Sequence, residues 1–280
     1  MSVTKILVCC HKPGKFISDD AYLPIHVGKA NSKYNLGIIG DDTGDNISSE
    51  NSHFCELTGL YWAWKKLHPV DYIGLCHYRR YFNFHDKGTA FSDCTNVSSK
   101  DIEHLDIKLP NMDELFTKYD AIVAKPKVYP YSLSVDYCVC QVSEDFHTLS
   151  SIVKGLYPEY GEAFDEVFFK NNKLSPYNMM VMRWSDFDRY CTWLFDILFE
   201  ARNKINIDNY SPVQGRIWGY MSERLLSVLL LHNHKKIKFQ PVYWITDDVE
   251  QHSFLNRWQR YIRNSLAFML TKPRKTTIFN

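Results

Sequence analysis

Short apolar runs alternating with longer amphipathic stretches predict an α/β fold, a mainly parallel mixed sheet flanked by helices. Three observations carry this reading. The runs "KILVCC", "YIGLC" and "DAIVA" have strand length and are closed by charged residues, His or Pro. The segments beginning at Glu50 and Trp184 repeat apolar residues at helical spacing. A chain of 280 residues, 45% hydrophobic and 23% charged, without internal repeat or low-complexity tract, can bury one continuous core.

Taken in order, "KILVCCHKP" is a first buried strand ended by Pro13, with His11 and Lys12 at its C-terminal mouth. "YLPIHVGKA" is a short extended segment, and Gly40 to Asn46 form an Asp/Gly-rich loop. Ser48 and Ser49 are N-cap candidates for one helix over "ENSHFCELTGLYWAWKKLH", stopped by Pro69, whose apolar face holds Phe54, Leu57, Leu60, Tyr61 and Trp64. "YIGLCHYRRYF" is a second strand. Residues 83–112 lack periodicity and read as a loop or mobile insertion, followed by a short helix at "NMDELFTKY". "DAIVAKPKVYP" is a third strand, 135–169 a helical region broken at "LYPEYG", and "YNMMVM" a strand leading through Asp186 into a long helix. "GRIWGYMSERLLSVLLLHN" is a further helix and "KIKFQPVYWIT" the last strand. Residues 1–250 form one domain and 251–280 a basic amphipathic tail.

The formal net charge of +1 gives no global field toward nucleic acid, so any anion site must be local. The 8 cysteines show no zinc-ligand spacing, and with no N-terminal signal segment they are expected as reduced thiols in the cytoplasm. No apolar run approaches the roughly 20 residues of a membrane span. Aromatic abundance, Tyr 18, Phe 17 and Trp 7, suits a large core and sugar rings alike. In "RWQRYIRNSLAFMLTKPRK" the apolar residues fall along one helix side beside six Lys and Arg, which fits an interfacial helix on anionic lipid or a helix docked on its own domain.

In an open α/β sheet, ligands sit beyond the carboxyl ends of the strands, which sets His11, Lys12, the His77–Arg80 stretch and the Lys125–Lys127 loop on one edge. Arg79 and Arg80 are forked, permanently charged donors that suit phosphate or diphosphate, and they suit structural ion pairs as well. His77 fits a phosphate donor, a metal ligand or the partner of a buried carbonyl. Neither a P-loop nor G-x-G-x-x-G occurs. "GDDTGD" and "TDDVE" have the composition of a magnesium or manganese site and equally that of surface turns. Glu56 lies one step off its helix's apolar face and needs a partner, for which Arg79 or Arg80 would serve. Glu223 follows Arg216 and Tyr220 by one or two turns, and either caps a helix with Ser222 or acts as a general base.

Four strings in order, "NISSENSHFCELTGLYWAWKK", "DYIGLCHYRRYF", "YNMMVMRWSDFDRYCTWLFDILFE" and "GRIWGYMSERLL", resemble a bacterial family long labelled a domain of unknown function. Its members occur in capsule, exopolysaccharide and O-antigen clusters and are described as glycosyltransferases, some of them galactofuranosyltransferases. The resemblance runs from "ILVCCHKP" to about Asp248 and leaves out the basic tail. It implies a GT-A-like fold and transfer of a sugar from a nucleotide diphosphate donor, with a uridine-linked one expected, to a growing glycan on a lipid carrier. Where that fold carries a metal-binding Asp-x-Asp, this chain has His77-Tyr78-Arg79-Arg80, so the expectation is metal-independent transfer with no cofactor.

On that basis His11, Lys12, His77, Arg79, Arg80 and Asn178 are expected at the donor, and Glu223 as the base of an inverting displacement. Asp136 and Asp145 are weaker candidates for the base. Glu56, Asp136, Arg216 and Tyr220 are expected at the acceptor or behind the reacting groups. The rival expectations are a nucleotidyl or sugar-phosphate transferase and a non-catalytic glycan-binding protein. The expected partners are a nucleotide sugar, a lipid-linked glycan and, through the tail, the anionic inner face of the bacterial membrane; nucleic acid is excluded.

Overall fold

The structure, a computed structural model, describes residues 2–86, 93–247 and 254–271. Its strands are β1 (Thr4–Cys10), β2 (Tyr22–His26), β3 (Ile39–Gly40), β4 (Tyr72–His77), β5 (Arg80–Phe82), β6 (Cys94–Val97), β7 (Ala121–Ala124), β8 (Lys127–Val128), β9 (Lys173–Leu174), β10 (Met180–Arg183), β11 (Ile237–Gln240) and β12 (Val242–Ile245). The helices are α1 (Asn51–Phe54), α2 (Leu57–Lys66), α3 (Met112–Leu115), α4 (Leu133–Cys140), α5 (Ser143–Leu156), α6 (Gly161–Phe169), α7 (Trp184–Lys204), α8 (Ile217–His232) and α9 (Phe254–Thr271).

The main sheet runs β11-β7-β10-β4-β1-β2-β3. Every pairing along it is parallel except the two made by β10, which is antiparallel to both β4 and β7. Side chains alternate across it as strand geometry requires. Leu7, Cys9, Ile73, Leu75, Met180 and Met182 face a core built with α2 and α4–α8, while Ile6, Val8, Cys10, Cys76, Ile122 and Val181 face a second core with Tyr81, Phe82 and Phe116. Burial on both faces explains why these strands read as continuous apolar runs. Gly74 sits where β10 crosses closest: a Cβ there would meet the Met180 carbonyl oxygen and Val181 Cγ2, each at 2.9 Å.

Several elements differ from the sequence expectation. The helix expected over 50–68 is broken between α1 and α2, because Cys55 takes φ 54°, ψ −131°. Ser48 caps nothing: its hydroxyl binds Asp41 and accepts from the Ala30 N–H at 3.1 Å. The expected strand 72–82 is a hairpin, β4 and β5, turning at Tyr78-Arg79 and pairing His77 with Arg80. "KIKFQPVYWIT" splits at Pro241, since proline cannot continue the ladder; β11 stays at the sheet edge and β12 leaves to pair β5 and β6. The stretch expected as a loop holds β6 and a 3₁₀ turn at Ser99–His104, while residues 87–92 lie outside the described residues. In the tail, for which a docked helix was one of two expectations, α9 is fastened to the domain by Arg257 on the Cys94 carbonyl and by Asn264 Nδ2 on the Val128 carbonyl at 2.8 Å.

Candidate active site

Parallel strands β1, β4 and β7 deliver their C-terminal ends to one edge of the sheet, and antiparallel β10 delivers its N-terminal entry there. Residues far apart in sequence meet as a result. His77 ends β4, and its Nε2–H donates to the Tyr177 carbonyl just before β10, at 2.8 Å. That assigns the neutral Nε2–H tautomer, in keeping with a ring whose pKa burial and the adjacent Arg80 push down to about 3.

Tyr177 and Asn178 both take positive φ, 75° and 52°. For two consecutive non-glycine residues this is strained, roughly 1–3 kcal/mol each, and persists only where contacts hold it. Here they do. The Tyr177 N–H donates to Glu223 Oε1 at 2.6 Å, and Asn178 Nδ2 donates to Glu56 Oε1 at 2.7 Å. The Ser222 hydroxyl donates to Asn178 Oδ1 at 2.5 Å. Thus α8, expected over "GRIWGYMSERLLSVLLLHN", begins at Ile217 and presents Ser222 and Glu223 from its second turn as clamps on this turn, so the capping reading of Ser222 and Glu223 does not hold.

The two carboxylates come from the α1–α2 break and from α8, yet stand near enough for the Glu56 charge to act on Glu223. Burial raises Glu56, and its hydrogen bond from Asn178 together with Arg216 and Arg80 offsets this only in part. Burial likewise raises Glu223, and the neighbouring Glu56 charge raises it further. The break at Cys55 is what turns Glu56 toward Asn178; in a continuous helix that direction would be different. Arg216 approaches the same break, with Nε on Cys55 Sγ at 3.2 Å. Tyr220 lies beside it, 5.8 Å from the Arg216 guanidinium.

Around the carboxylates stand cations. The Arg80 guanidinium lies over the Tyr177 ring at 4.2 Å and the Trp244 ring at 5.3 Å. Lys127, from β8, donates to the Tyr177 hydroxyl at 2.7 Å and lies over the same two rings. Arg79 is different: it is exposed, lies over Tyr78, and lines a separate cleft of about 290 Å³ with Lys15, Ser99, Lys100 and Asp247. His11 and Lys12 continue the edge. The His11 ring packs edge-on against Tyr78 and stands in a concavity of protein atoms that water still reaches, and desolvation with Lys12, His77, Arg216 and Arg79 lowers it to about 4.

The structure therefore brings His77, Arg80, Asn178, Glu56, Glu223 and Arg216 together, with His11 and Arg79 on the flank. It sets Asp136 apart, paired with the buried Arg224 at 2.8 Å, and Asp145 accepts from the Tyr210 hydroxyl at 2.9 Å. Tyr177 and Trp244 were not singled out by sequence; Lys127 was placed on this edge with its loop but given no role.

No cluster of three or more metal-ligand side chains exists among the described residues, and His77 Nε2 is engaged by a carbonyl. In "GDDTGD", Asp41 is used structurally, accepting from the Gly28 and Lys29 N–H groups. In "TDDVE", Asp247 accepts from the Ser99 N–H, and residues 248–250 lie outside the described residues.

The family model described as a domain of unknown function, DUF4422, matches residues 5–235. The chain belongs to that family. The apo structure of WbbM, a bifunctional glycosyltransferase, is similar with a TM-score of 0.76 and 32% identity, over 87% of this chain and 45% of that one. The chain thus spans less than half the length of the protein it matches, and shares the fold of that part. No curated protein matches it.

Proposed function

We propose that the chain is a glycosyltransferase that moves a sugar from a nucleoside diphosphate donor to a hydroxyl of a glycan. The observation that carries this is the meeting of Glu56 and Glu223, both held above the ordinary carboxylate range, with Arg80 and Lys127, which have no carboxylate within ion-pair distance among the described residues. A base beside an anion-binding cluster is what displacement at an anomeric carbon needs. Likeness to WbbM supports the same reading.

Glu223 takes the acceptor hydroxyl proton. Its Oε1 is occupied by the Tyr177 N–H, and Oε2 has no hydrogen bond among the described residues. The acceptor oxygen forms its bond to the anomeric carbon as the bond to the diphosphate oxygen breaks, and the nucleoside diphosphate leaves with its charge held by guanidinium and ammonium groups. Single displacement inverts the anomeric centre. Asn178, locked by Glu56 and Ser222, lines the sugar pocket. The family resemblance puts uridine diphosphate galactofuranose first among donors and a capsular, exopolysaccharide or O-antigen glycan on a lipid carrier first among acceptors.

The tail suits such an acceptor. No helix among the described residues is long and apolar enough to cross a membrane. However, α9 turns Leu266, Met269 and Leu270 outward, 51%, 66% and 88% exposed, with Arg260 and Arg263 also exposed. From residue 251 to 280 the sequence has no Asp or Glu. Apolar side chains facing out beside unopposed cations match an anionic bilayer surface. Lys272, Arg274 and Lys275 lie outside the described residues.

The test is product analysis by mass with a panel of nucleotide sugars in excess EDTA. Release of nucleoside diphosphate with a sugar added to the acceptor is expected. Release of pyrophosphate would establish nucleotidyl transfer instead, and activity restored only by manganese would overturn metal independence.

A further inference from the structure

Lys127, in the Lys125–Lys127 stretch that the sequence sets on this edge, lies in the two-residue strand β8 and is half-buried. Two other cations held in the fold have carboxylates: Arg224 has Asp136 and Lys235 has Asp186, each at 2.8 Å. Lys127 has none within ion-pair distance among the described residues, and neither has Arg80, whose buried Nε lacks any hydrogen-bond partner. An ammonium offers three donors and a guanidinium five. Among the described residues, the single hydrogen bond made by either side chain is that of Lys127 to the Tyr177 hydroxyl at 2.7 Å.

Both cations lie over the same two rings. Lys127 Nζ is 4.8 Å from the Tyr177 centroid and 5.5 Å from that of Trp244, and Arg80 Cζ is 4.2 and 5.3 Å from them. The rings themselves meet edge-on at 6.2 Å and 75°. Aromatic faces compensate a desolvated cation only in part, by roughly 0.5–2 kcal/mol, and two like charges over one ring pair repel. A multivalent anion between them would relieve both deficits, while the rings, already covered by cations, are poorly placed to stack on a sugar.

We propose that Lys127 and Arg80, seated on Tyr177 and Trp244, form a two-armed clamp for a diphosphate, with Lys127 supplying the arm opposite Arg80. This rests on the nucleotide-sugar reading for its natural ligand. The clamp also reaches the chemistry. Tyr177 carries the ring both cations use, and its own N–H holds Glu223 Oε1 while its carbonyl holds His77. Filling the clamp therefore fixes the residue that aims the base.

The experiment is calorimetric titration of the full chain with inorganic pyrophosphate, uridine diphosphate and uridine, for the wild type, Lys127→Met, Lys127→Arg and, as a remote charge control, Lys154→Met on α5. Thermal melting shows that each variant is folded. Lys127→Met is expected to weaken pyrophosphate and uridine diphosphate about tenfold or more, with Lys127→Arg recovering most of the loss and Lys154→Met changing nothing. Pyrophosphate that fails to bind the wild type, or binds Lys127→Met equally well, overturns the clamp. Pyrophosphate bound through Lys127 but uridine diphosphate bound no better would leave the clamp standing and count against the uridine nucleotide. The reverse, uridine diphosphate held equally by the wild type and Lys127→Met, would keep the nucleotide reading and remove the clamp.

Discussion

The two edges of the central sheet treat charge in opposite ways. At the N-terminal edge of the parallel strands, the carboxylates Asp120 and Asp186 are answered within the chain. Asp120 takes the Lys236 N–H at 2.9 Å and Arg183 at 3.3 Å, and Asp186 takes Lys235 at 2.8 Å along with Arg189. The backbone hydrogen bond, with Lys235 and Arg183, holds Asp120 below the ordinary carboxylate range. At the C-terminal edge, Glu56 and Glu223 are pushed up, His77 is pushed down, and Arg80 and Lys127 have no carboxylate partner among the described residues. Three of the four non-glycine residues with positive φ, Cys55, Tyr177 and Asn178, lie there as well. One edge has been neutralised by the chain for its own stability. The other carries charge and strain that folding alone leaves unanswered, which is the pattern expected where a ligand completes the electrostatics.

The largest effect should come from the base. Glu223→Gln keeps the acceptor for the Tyr177 N–H but cannot take a proton, so turnover should fall by about 10²–10⁴ with binding of uridine diphosphate and melting temperature preserved. Steady-state rates and calorimetry decide it, and full turnover by the variant would remove the assignment. Because the Glu223 pKa is raised, the acid limb of the wild-type rate profile should lie above the ordinary glutamate value of 4.5, the rate falling as pH drops through it.

Next comes the direct contrast between edges. Arg80→Met should weaken uridine diphosphate by about tenfold or more while leaving the melting temperature unchanged or higher, since it removes a desolvated cation that lacks an ion-pair partner. Arg183→Met should do the converse, lowering the melting temperature by about 2–4 °C per kcal/mol lost and sparing affinity, because it deprives Asp120 of its partner. Equal destabilisation by both would erase the distinction.

Part of the second edge was readable from the chain, while the ion pairs of the first were not. The strand ends at His11 and His77 follow from apolar runs closed by polar residues, and the resemblance gave Asn178 and Glu223. What could not be read was conformation that no residue type announces. Cys55 is not a turn residue, yet its positive φ breaks a helix whose apolar spacing is continuous, and that break aims Glu56. Nor does spacing reveal that β12 leaves β11 at Pro241 and carries Trp244 across to Arg80, a pairing between residues 164 positions apart. Arg79 and Arg80 looked equivalent as neighbours, but a tight hairpin puts one in the turn and the other in a strand.

A smaller effect is expected from pH on stability. His77 has a folded pKa near 3 against 6.5 unperturbed, so between those values the unfolded chain binds a proton that the folded chain refuses. Stability should therefore decline as pH falls from about 6.5 toward 3, and His77→Gln should flatten that decline in thermal melts taken across this range; an unchanged slope would show the ring to be charged in the fold. Smallest of all for catalysis is α9. Replacing Leu266, Met269 and Leu270 by serine should reduce sedimentation with anionic vesicles while changing activity on a soluble acceptor by less than about twofold; unaltered vesicle binding would remove the membrane role.

The most direct measurement is titration of uridine diphosphate into the wild-type chain in excess EDTA, repeated at rising salt. Saturable binding that survives the chelator and weakens with ionic strength is the expected result, because guanidinium and ammonium groups hold the diphosphate. Absence of binding without a divalent ion, and its appearance when manganese is added, would contradict the claim that the unpaired cations of this edge are the diphosphate site.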